Sequence, residues 1–332
     1  MSNSDHPVNH DIYDSIVIGG GPAGAAAAVY AARKKMKTLL VTEGFGGQSL
    51  TSPNIENWIG TIGLTGLELA RALEAHARAQ KSVEVKAAET VVSVSEIPCL
   101  FQVLTKKGDV YITKTVIVAS GGRRRRLGIP GENELEGKGV AYCSTCDAPL
   151  FSDQTVAVIG GGNTALETVI DLVPYARRIY LVSRRPELRG DPSTEERVRE
   201  CSKVTFIQNA QPLEILGDGT VTHLKYEDKV SHQERELSVN GIFVEIGSVP
   251  NSEMVKDLVE RNPFGEIVVD PKTCATSKPG IFAAGDVTDE IYKQNNIAAG
   301  DAVRAALSAY NYLLNINQQS PCADLYATEK YL

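Results

Sequence analysis

The sequence predicts an α/β protein built from two strand, glycine-loop and helix units. The first observation is a pair of loops, Gly19-Gly20-Gly21-Pro22-Ala23-Gly24 and Gly160-Gly161-Gly162-Asn163-Thr164-Ala165. Gly-x-Gly-x-x-Gly/Ala also occurs by chance in turns. Here each loop follows a short apolar run, Ser15-Ile16-Val17-Ile18 or Val156-Ala157-Val158-Ile159, and opens a helix-forming stretch. That context makes each one a Rossmann-like dinucleotide loop. The second observation is Cys143-Ser144-Thr145-Cys146, which stands midway between the loops. The third is size: 332 residues with 42% hydrophobic content bury a large core and suggest about two domains.

The elements follow in order. The run at Ser15 gives the first strand, Ala23 to Ala32 a helix of small residues, and Thr38 to Thr42 a second strand ending at Glu43. Glu43 lies about 20 residues beyond the loop, where a carboxylate binds a ribose hydroxyl. Thr115 to Ser120 is a further buried-type strand. After it, Gly121-Gly122, the basic run Arg123 to Arg126 and Gly128-Ile129-Pro130-Gly131 break the periodicity. A domain crossing is placed there. The pattern restarts with Val156 to Ile159, the second loop, a helix from Thr164 to about Leu172 and a strand from Arg178 to Val182. Ile242 to Gly247 is another strand, and Val249-Pro250-Asn251 marks a second crossing. A last strand, Ile281 to Ala284, ends at Gly285-Asp286, and a helix runs from about Asn296 to Leu314.

Composition excludes several classes. A net charge of -7 leaves no broad basic surface for nucleic acid. No run of about 18 apolar residues is present, and the polar N-terminus lacks a signal pattern, so a cytoplasmic protein is expected. Six cysteines are too sparse for a disulfide scaffold in a chain of this length.

A Cys-x-x-Cys pair closes a small ring, so its sulfurs alternate between dithiol and disulfide with little backbone movement. Half a metal site or two structural cysteines are the competing readings. A zinc site needs two more ligands at similar spacing, and no other cysteine or histidine is so placed, so no metal is expected. At the end of the second unit's second strand stands Ser183-Arg184-Arg185, with Arg189 four residues on. Arginines there favour the extra phosphate of NADP, whereas an acidic residue favours NAD. A solvated strand end is the other reading.

Taken in order, the first loop, Cys-x-x-Cys-Asp, the second loop and the late Phe282-Ala283-Ala284-Gly285-Asp286 resemble the low-molecular-weight thioredoxin reductases over nearly the whole chain. The resemblance implies an FAD-binding domain in two segments, 1–119 and 250–332. A pyridine-nucleotide-type domain carrying the dithiol, 120–249, is inserted between them. It implies FAD contacts from the Gly19, Gly21, Pro22, Ala23 and Gly24 loop, Glu43, Gly47, Gln48, Asn57, Gly285, Asp286 and the segment Lys293-Gln294-Asn295. NADPH would meet Gly162, Asn163, Thr164, Glu167, Arg184, Arg185 and Arg189. Cys146 would face the flavin, Cys143 would attack the partner disulfide, and Asp147 would give and take the proton. Homodimer assembly and thioredoxin as partner are also implied.

Three departures keep the electron donor open. Ser183 and Ser248 stand where family histidines are common, and Lys293-Gln294-Asn295 replaces Arg-Gln-Ala. Tail aromatics, Tyr331 first and Tyr326 second, could stack on the flavin, or the tail could be a frayed terminus. The arginines at 123 to 126 could dock an acidic donor such as ferredoxin, or be a solvated linker. The reading is an FAD-dependent thioredoxin reductase fed by NADPH. A ferredoxin-dependent reductase is the alternative, and a dithiol oxidase or a redox-sensing flavoprotein stands further back.

Overall fold

The computed structural model describes residues 12–52 and 54–319. They divide into two compact units. One comprises the chain up to Asn54, Trp58–Arg123 and the chain from Val249 onward; the other comprises Ile55–Asn57 and Arg124–Ser248.

The first unit opens with β1 (Ile12–Gly20), almost wholly buried, as a strand covered on both faces requires. Helix α1 (Pro22–Arg33) follows, rich in alanine with proline in its first turn, both favourable choices. β2 (Thr38–Phe45) pairs parallel with β1 in a register that sets Val17 opposite Leu40. α2 (Gly66–Arg78) starts at a reciprocal cap in which Thr65 and Glu68 satisfy each other's backbone N–H. It leads to β3 (Val83–Lys86), parallel to β2. Then come β4 (Val91–Ile97), β5 (Leu100–Thr105) and β6 (Val110–Val118), joined antiparallel. β6 returns parallel to β1, giving the order β3-β2-β1-β6-β5-β4.

β7 (Gly122–Arg124) carries the chain into the second unit. There β8 (Val140–Ala141) precedes a single helical turn, α3 (Ser144–Asp147). Next are β9 (Thr155–Ile159), α4 (Asn163–Leu172), β10 (Arg178–Val182), α5 (Pro192–Glu200) and β11 (Val204–Ile207). An antiparallel sheet of β12 (Ala210–Asp218), β13 (Thr220–Asp228) and β14 (Gln233–Ser238) is interposed before β15 (Gly241–Val244). The parallel sheet has the order β11-β10-β9-β15-β8. β16 (Ser248–Pro250) leads back, and β17 (Ile281–Ala283) and α6 (Asn295–Gln319) complete the first unit. β17 pairs with the Val116–Val118 end of β6, while β5 occupies the other end.

Both units are therefore α/β with a parallel strand, glycine-loop and helix core, as expected from the sequence. The expected strand ends differ by a few residues in both directions, β6 stopping at Val118, β15 at Val244 and β17 at Ala283. β2 runs past Glu43 to Phe45, and α6 starts at Asn295 rather than Asn296.

In the first unit α1 packs against α6 through small side chains, with Ala27, Ala28, Ala31, Ala302, Ala305, Ala306 and Ala309 all fully buried. Such an interface has no slack for added volume. Ala305→Leu is expected to destabilise the protein by about 1–3 kcal/mol, read as a lower urea midpoint at unchanged slope. An unaltered midpoint would show the α1 and α6 contact to be loose.

Candidate active site

The first glycine loop is shaped by two close approaches. Gly19 adopts φ +115°, and a Cβ there would overlap the carbonyl of Ala119 on the neighbouring strand's exit. A Cβ on Gly24 would overlap the carbonyl oxygen of Gly19, so the helix lies directly on the strand end. Gly21 is different. Its backbone is extended (φ -73°, ψ -173°), and a Cβ would find only the Gly47 Cα at 3.9 Å. The open side of Gly21 is thus free for a ligand, and α1 begins there with no side-chain cap and no acidic residue in its first turn. Uncapped N–H groups at a helix N-terminus suit a pyrophosphate.

Other expected residues gather at the same edge of the sheet. Gln48 Nε2 donates to Asp286 Oδ2 at 2.9 Å, and Ser49 Oγ donates to Asn295 Oδ1 at 3.0 Å. Gly285, at φ +77°, brings its backbone against Ala23 and Ala298. Lys293 Nζ donates to the Thr288 carbonyl at 2.6 Å and pairs with Glu266 at 3.1 Å. Glu43 is exposed on β2 and accepts from Thr90 Oγ1 at 2.8 Å. The residues present therefore fit a dinucleotide with a polar chain leading away from its phosphates. Asn57 is the exception, because its segment Ile55–Asn57 clusters with the second unit. Gln294 lies immediately before α6, its backbone carbonyl accepting from Ala298 N–H at 2.8 Å.

The second loop repeats the design. A Cβ on Gly162 would meet nothing within 4 Å, and α4 begins there without a side-chain cap or early acidic residue. Asn163 Oδ1 accepts from the Asp191 N–H at 2.6 Å, while Thr164 and Glu167 are exposed on α4. Ser183 Oγ accepts from the Arg185 N–H at 3.2 Å, and the Arg189 N–H donates to the Gly161 carbonyl at 2.6 Å. This ties the arginine segment to the loop. Arg184, Arg185 and Arg189 are exposed, and among the described residues none of them forms an ion pair. Here are three cations beside an open phosphate cradle.

Cys143 and Cys146 are bonded to each other across α3, with Cα atoms 5.4 Å apart. The two sulfurs thus take the disulfide form that a redox pair requires. Asp147 follows directly. Burial pushes its carboxyl up to about 6, and its Oδ1 is buried with no hydrogen-bond partner among the described residues. A carboxyl so placed can hold a proton near neutral pH.

The basic run does not form one free patch. Arg126 pairs with Glu136 and donates to Asn133 Oδ1, and Arg123 donates to Asn251 Oδ1. Tyr326 and Tyr331 lie outside the described residues. Sequence reasoning missed Ser144, Thr168 and Asp171, which are joined by hydrogen bonds at the redox turn, and the buried Glu245. Ser144 Oγ donates to Asp171 Oδ2 at 2.7 Å and accepts from Thr168 Oγ1 at 3.3 Å. The available signal was Glu245, a charge inside the otherwise apolar Ile242 to Ile246 run.

Two open dinucleotide cradles and a bonded Cys-x-x-Cys define a nucleotide-dependent disulfide oxidoreductase. The sequence matches the family described as pyridine nucleotide-disulphide oxidoreductase over residues 13–302, and the chain belongs to it.

The structure is similar to thioredoxin reductase from Streptococcus pyogenes MGAS5005 (TM-score 0.86, 36% identity, covering 92% of this chain and 99% of that one). It is equally similar to thioredoxin reductase from Giardia duodenalis (TM-score 0.86, 30% identity, 92% and 100%). Among curated proteins it is 44% identical to an NADH dehydrogenase of Bacillus subtilis (strain 168) over 91% of this chain and 59% of that protein. It is 42% identical to an alkyl hydroperoxide reductase component of Escherichia coli (strain K12), over 92% and 59%. The chain thus spans about three fifths of the length of the curated relatives it matches. Among the described residues no helix is long and apolar enough to cross a membrane.

Because Gly21 already has a backbone conformation open to any residue, Gly21→Val is expected to fold normally while placing its methyls where the pyrophosphate would lie. The purified variant should lose bound flavin, measured as visible absorbance per chain beside an unchanged far-ultraviolet spectrum. A folded variant retaining full flavin would show that the site lies elsewhere.

Proposed function

We propose that the first unit binds FAD, that the second unit binds NADPH and carries the redox dithiol, and that the protein reduces the disulfide of thioredoxin. The observation that carries this is the Cys143–Cys146 bridge beside Asp147, in a unit whose own glycine loop is flanked by three arginines free of ion pairs among the described residues. Thioredoxin is favoured as acceptor because the structure is similar to two thioredoxin reductases at a TM-score of 0.86. Homodimer assembly belongs to the same reading.

FAD would rest on the Gly19 to Gly24 loop with Gly47, Gln48, Gly285 and Asp286 beside it, and supplies two-electron exchange between nicotinamide and disulfide. The protein's own groups then do the following. Two electrons and two protons convert the Cys143–Cys146 disulfide to a dithiol. The Cys143 thiolate attacks the acceptor disulfide, forming a mixed disulfide and expelling one acceptor thiolate. Cys146 attacks Cys143, which restores the intramolecular bridge and releases the second acceptor thiol. Asp147 holds the proton that Cys146 loses and returns it to a leaving thiolate, a task suited to a carboxyl held near neutrality.

Arg184 and Arg185 would grip the 2′-phosphate, and Ser183 fixes their turn by accepting the Arg185 N–H. The engagement of Arg123 and Arg126 by neighbouring side chains weakens the case for a ferredoxin-docking patch. Comparing flavin reduction by NADPH, NADH and reduced ferredoxin in an anaerobic stopped-flow instrument tests the donor directly.

Cys143→Ser and Cys146→Ser should each abolish thioredoxin reduction while leaving flavin bound, since one thiol cannot complete the exchange. Only Cys143→Ser, which leaves the flavin-facing Cys146 thiolate, should show a long-wavelength charge-transfer absorbance with the flavin oxidised. The reverse pattern would exchange the two roles.

Arg184→Ala and Arg185→Ala should weaken NADPH by roughly ten- to a hundredfold with little effect on NADH, the equivalent of losing one charge-assisted bond of about 1.5–3 kcal/mol. Titration of both nucleotides against each variant reads this out. Equal losses for the two would argue against a 2′-phosphate site.

A further inference from the structure

The two cysteines differ in how their neighbours are held. Before Cys143 stands Tyr142, directly after β8, and its hydroxyl donates to Glu132 Oε1 at 2.9 Å. Glu132 is only 1% exposed, and its carboxyl also accepts the Leu127 N–H at 2.9 Å and the Gly128 N–H at 2.8 Å. Arg126 lies over the Tyr142 ring, its Cζ 5.5 Å from the centroid, and donates to the same hydroxyl at 3.3 Å. Burial, and then the Glu132 bond, raises the Tyr142 hydroxyl above its ordinary range, so it stays a protonated donor.

After Cys143 stands Ser144, buried, whose hydroxyl donates to Asp171 Oδ2 at 2.7 Å and accepts from Thr168 Oγ1 at 3.3 Å. Thr168 and Asp171 are three apart on α4 and share one face of that helix. Beyond Ser144 the anchoring stops. Thr145 is exposed with no side-chain hydrogen bond among the described residues, and Asp147 Oδ1 is buried without a partner among them.

This asymmetry matters once the bridge opens. α3 is a single turn of four residues, far below the length at which a helix holds itself in water. With the disulfide closed, the covalent ring restrains the turn. With it open, packing and the side-chain bonds alone keep the sulfurs at closing distance. Freedom removed from the dithiol in advance does not have to be removed when the ring forms, so each anchor favours closure. We propose that Glu132, through Tyr142, and Asp171, through Ser144, are positioning residues that hold Cys143 from both sides and keep the opened pair poised to close. The proposal rests on the redox reading of the Cys143–Cys146 pair. None of the four touches either sulfur's reaction partner, and their effect is on the poise of the couple.

The test reads the dithiol–disulfide equilibrium of the flavin-loaded full-length protein in mixtures of reduced and oxidised dithiothreitol. The reagent's two thiols become its cyclic disulfide as the Cys143–Cys146 bond becomes two thiols, so electrons and protons balance. One fixed pH is used, which makes the protonation of Asp147 common to every arm. Acid quenching, alkylation and peptide mass spectrometry give the oxidised fraction. Tyr142→Phe leaves both backbone bonds to Glu132 in place, and neither it nor Ser144→Ala changes a charge. Each should shift the equilibrium about tenfold toward the dithiol, equivalent to about 30 mV for this two-electron couple, beside an unchanged far-ultraviolet spectrum and flavin content. Thr145→Ala, between the same cysteines, should match wild type. A shift of less than about threefold in either anchor variant, a shift toward the disulfide, or an equal shift in Thr145→Ala overturns the anchors. A wild-type pair that exchanges with dithiothreitol at no ratio overturns instead the redox reading beneath them.

Discussion

Gly24 meets the carbonyl oxygen of Gly19 with no room for a Cβ between them, and the rest of the first unit is arranged around that approach. With the helix seated on the strand end, the uncapped N–H groups of α1 point over the carboxyl edge of the sheet. The alanines of α1 then allow α6 to come equally close, which carries Asn295 to Ser49 and leaves Asp286 beside Gln48. One missing methyl thus propagates into the placement of residues more than two hundred positions away in the chain. The second unit repeats the arrangement with Gly160, whose Cβ would overlap the Glu245 carbonyl.

The parallel cores were legible because buried parallel strands read as continuous apolar runs and the glycine loops mark where they end. The antiparallel pieces were not. β4 breaks its buried positions with exposed residues and β5 with half-buried ones over short lengths, and β14 is polar and mostly exposed, so none of the three carries the run that identifies β1 or β9. These strands are held by cross-strand pairing and by tertiary packing, which leave little trace in local composition. At the site, the Cys143 and Cys146 pair and the two loops were readable from spacing, and Asp147 from the family resemblance. Ser144 and Thr168 were not, since a hydroxyl's partner is set by which helix faces which strand.

Two carboxyls in the second unit are raised by the same cause, burial, and differ in what surrounds them. Asp147 has a buried oxygen with no partner among the described residues. Glu245, immediately after β15, has a guanidinium, Arg124, opposing its protonation. The same cause thus raises two carboxyls that differ in the charge beside them.

The arginines at the second loop make a similar point about donor choice. In the basic run at 123 to 126, dense in sequence, Arg126 is engaged by Glu136 and Asn133 and Arg123 by Asn251. Arg184, Arg185 and Arg189 are sparser in sequence, yet exposed and free of ion pairs among the described residues, with the Arg189 N–H bonded to the Gly161 carbonyl and the Arg185 N–H to Ser183 Oγ. A cation already paired has little left to offer a ligand, whereas three oriented and unpaired ones beside a helix N-terminus supply a field that a second phosphate would neutralise. Charge density along the chain pointed to one surface, and charge availability in the fold points to the other. For a nucleotide carrying an extra phosphate, availability decides.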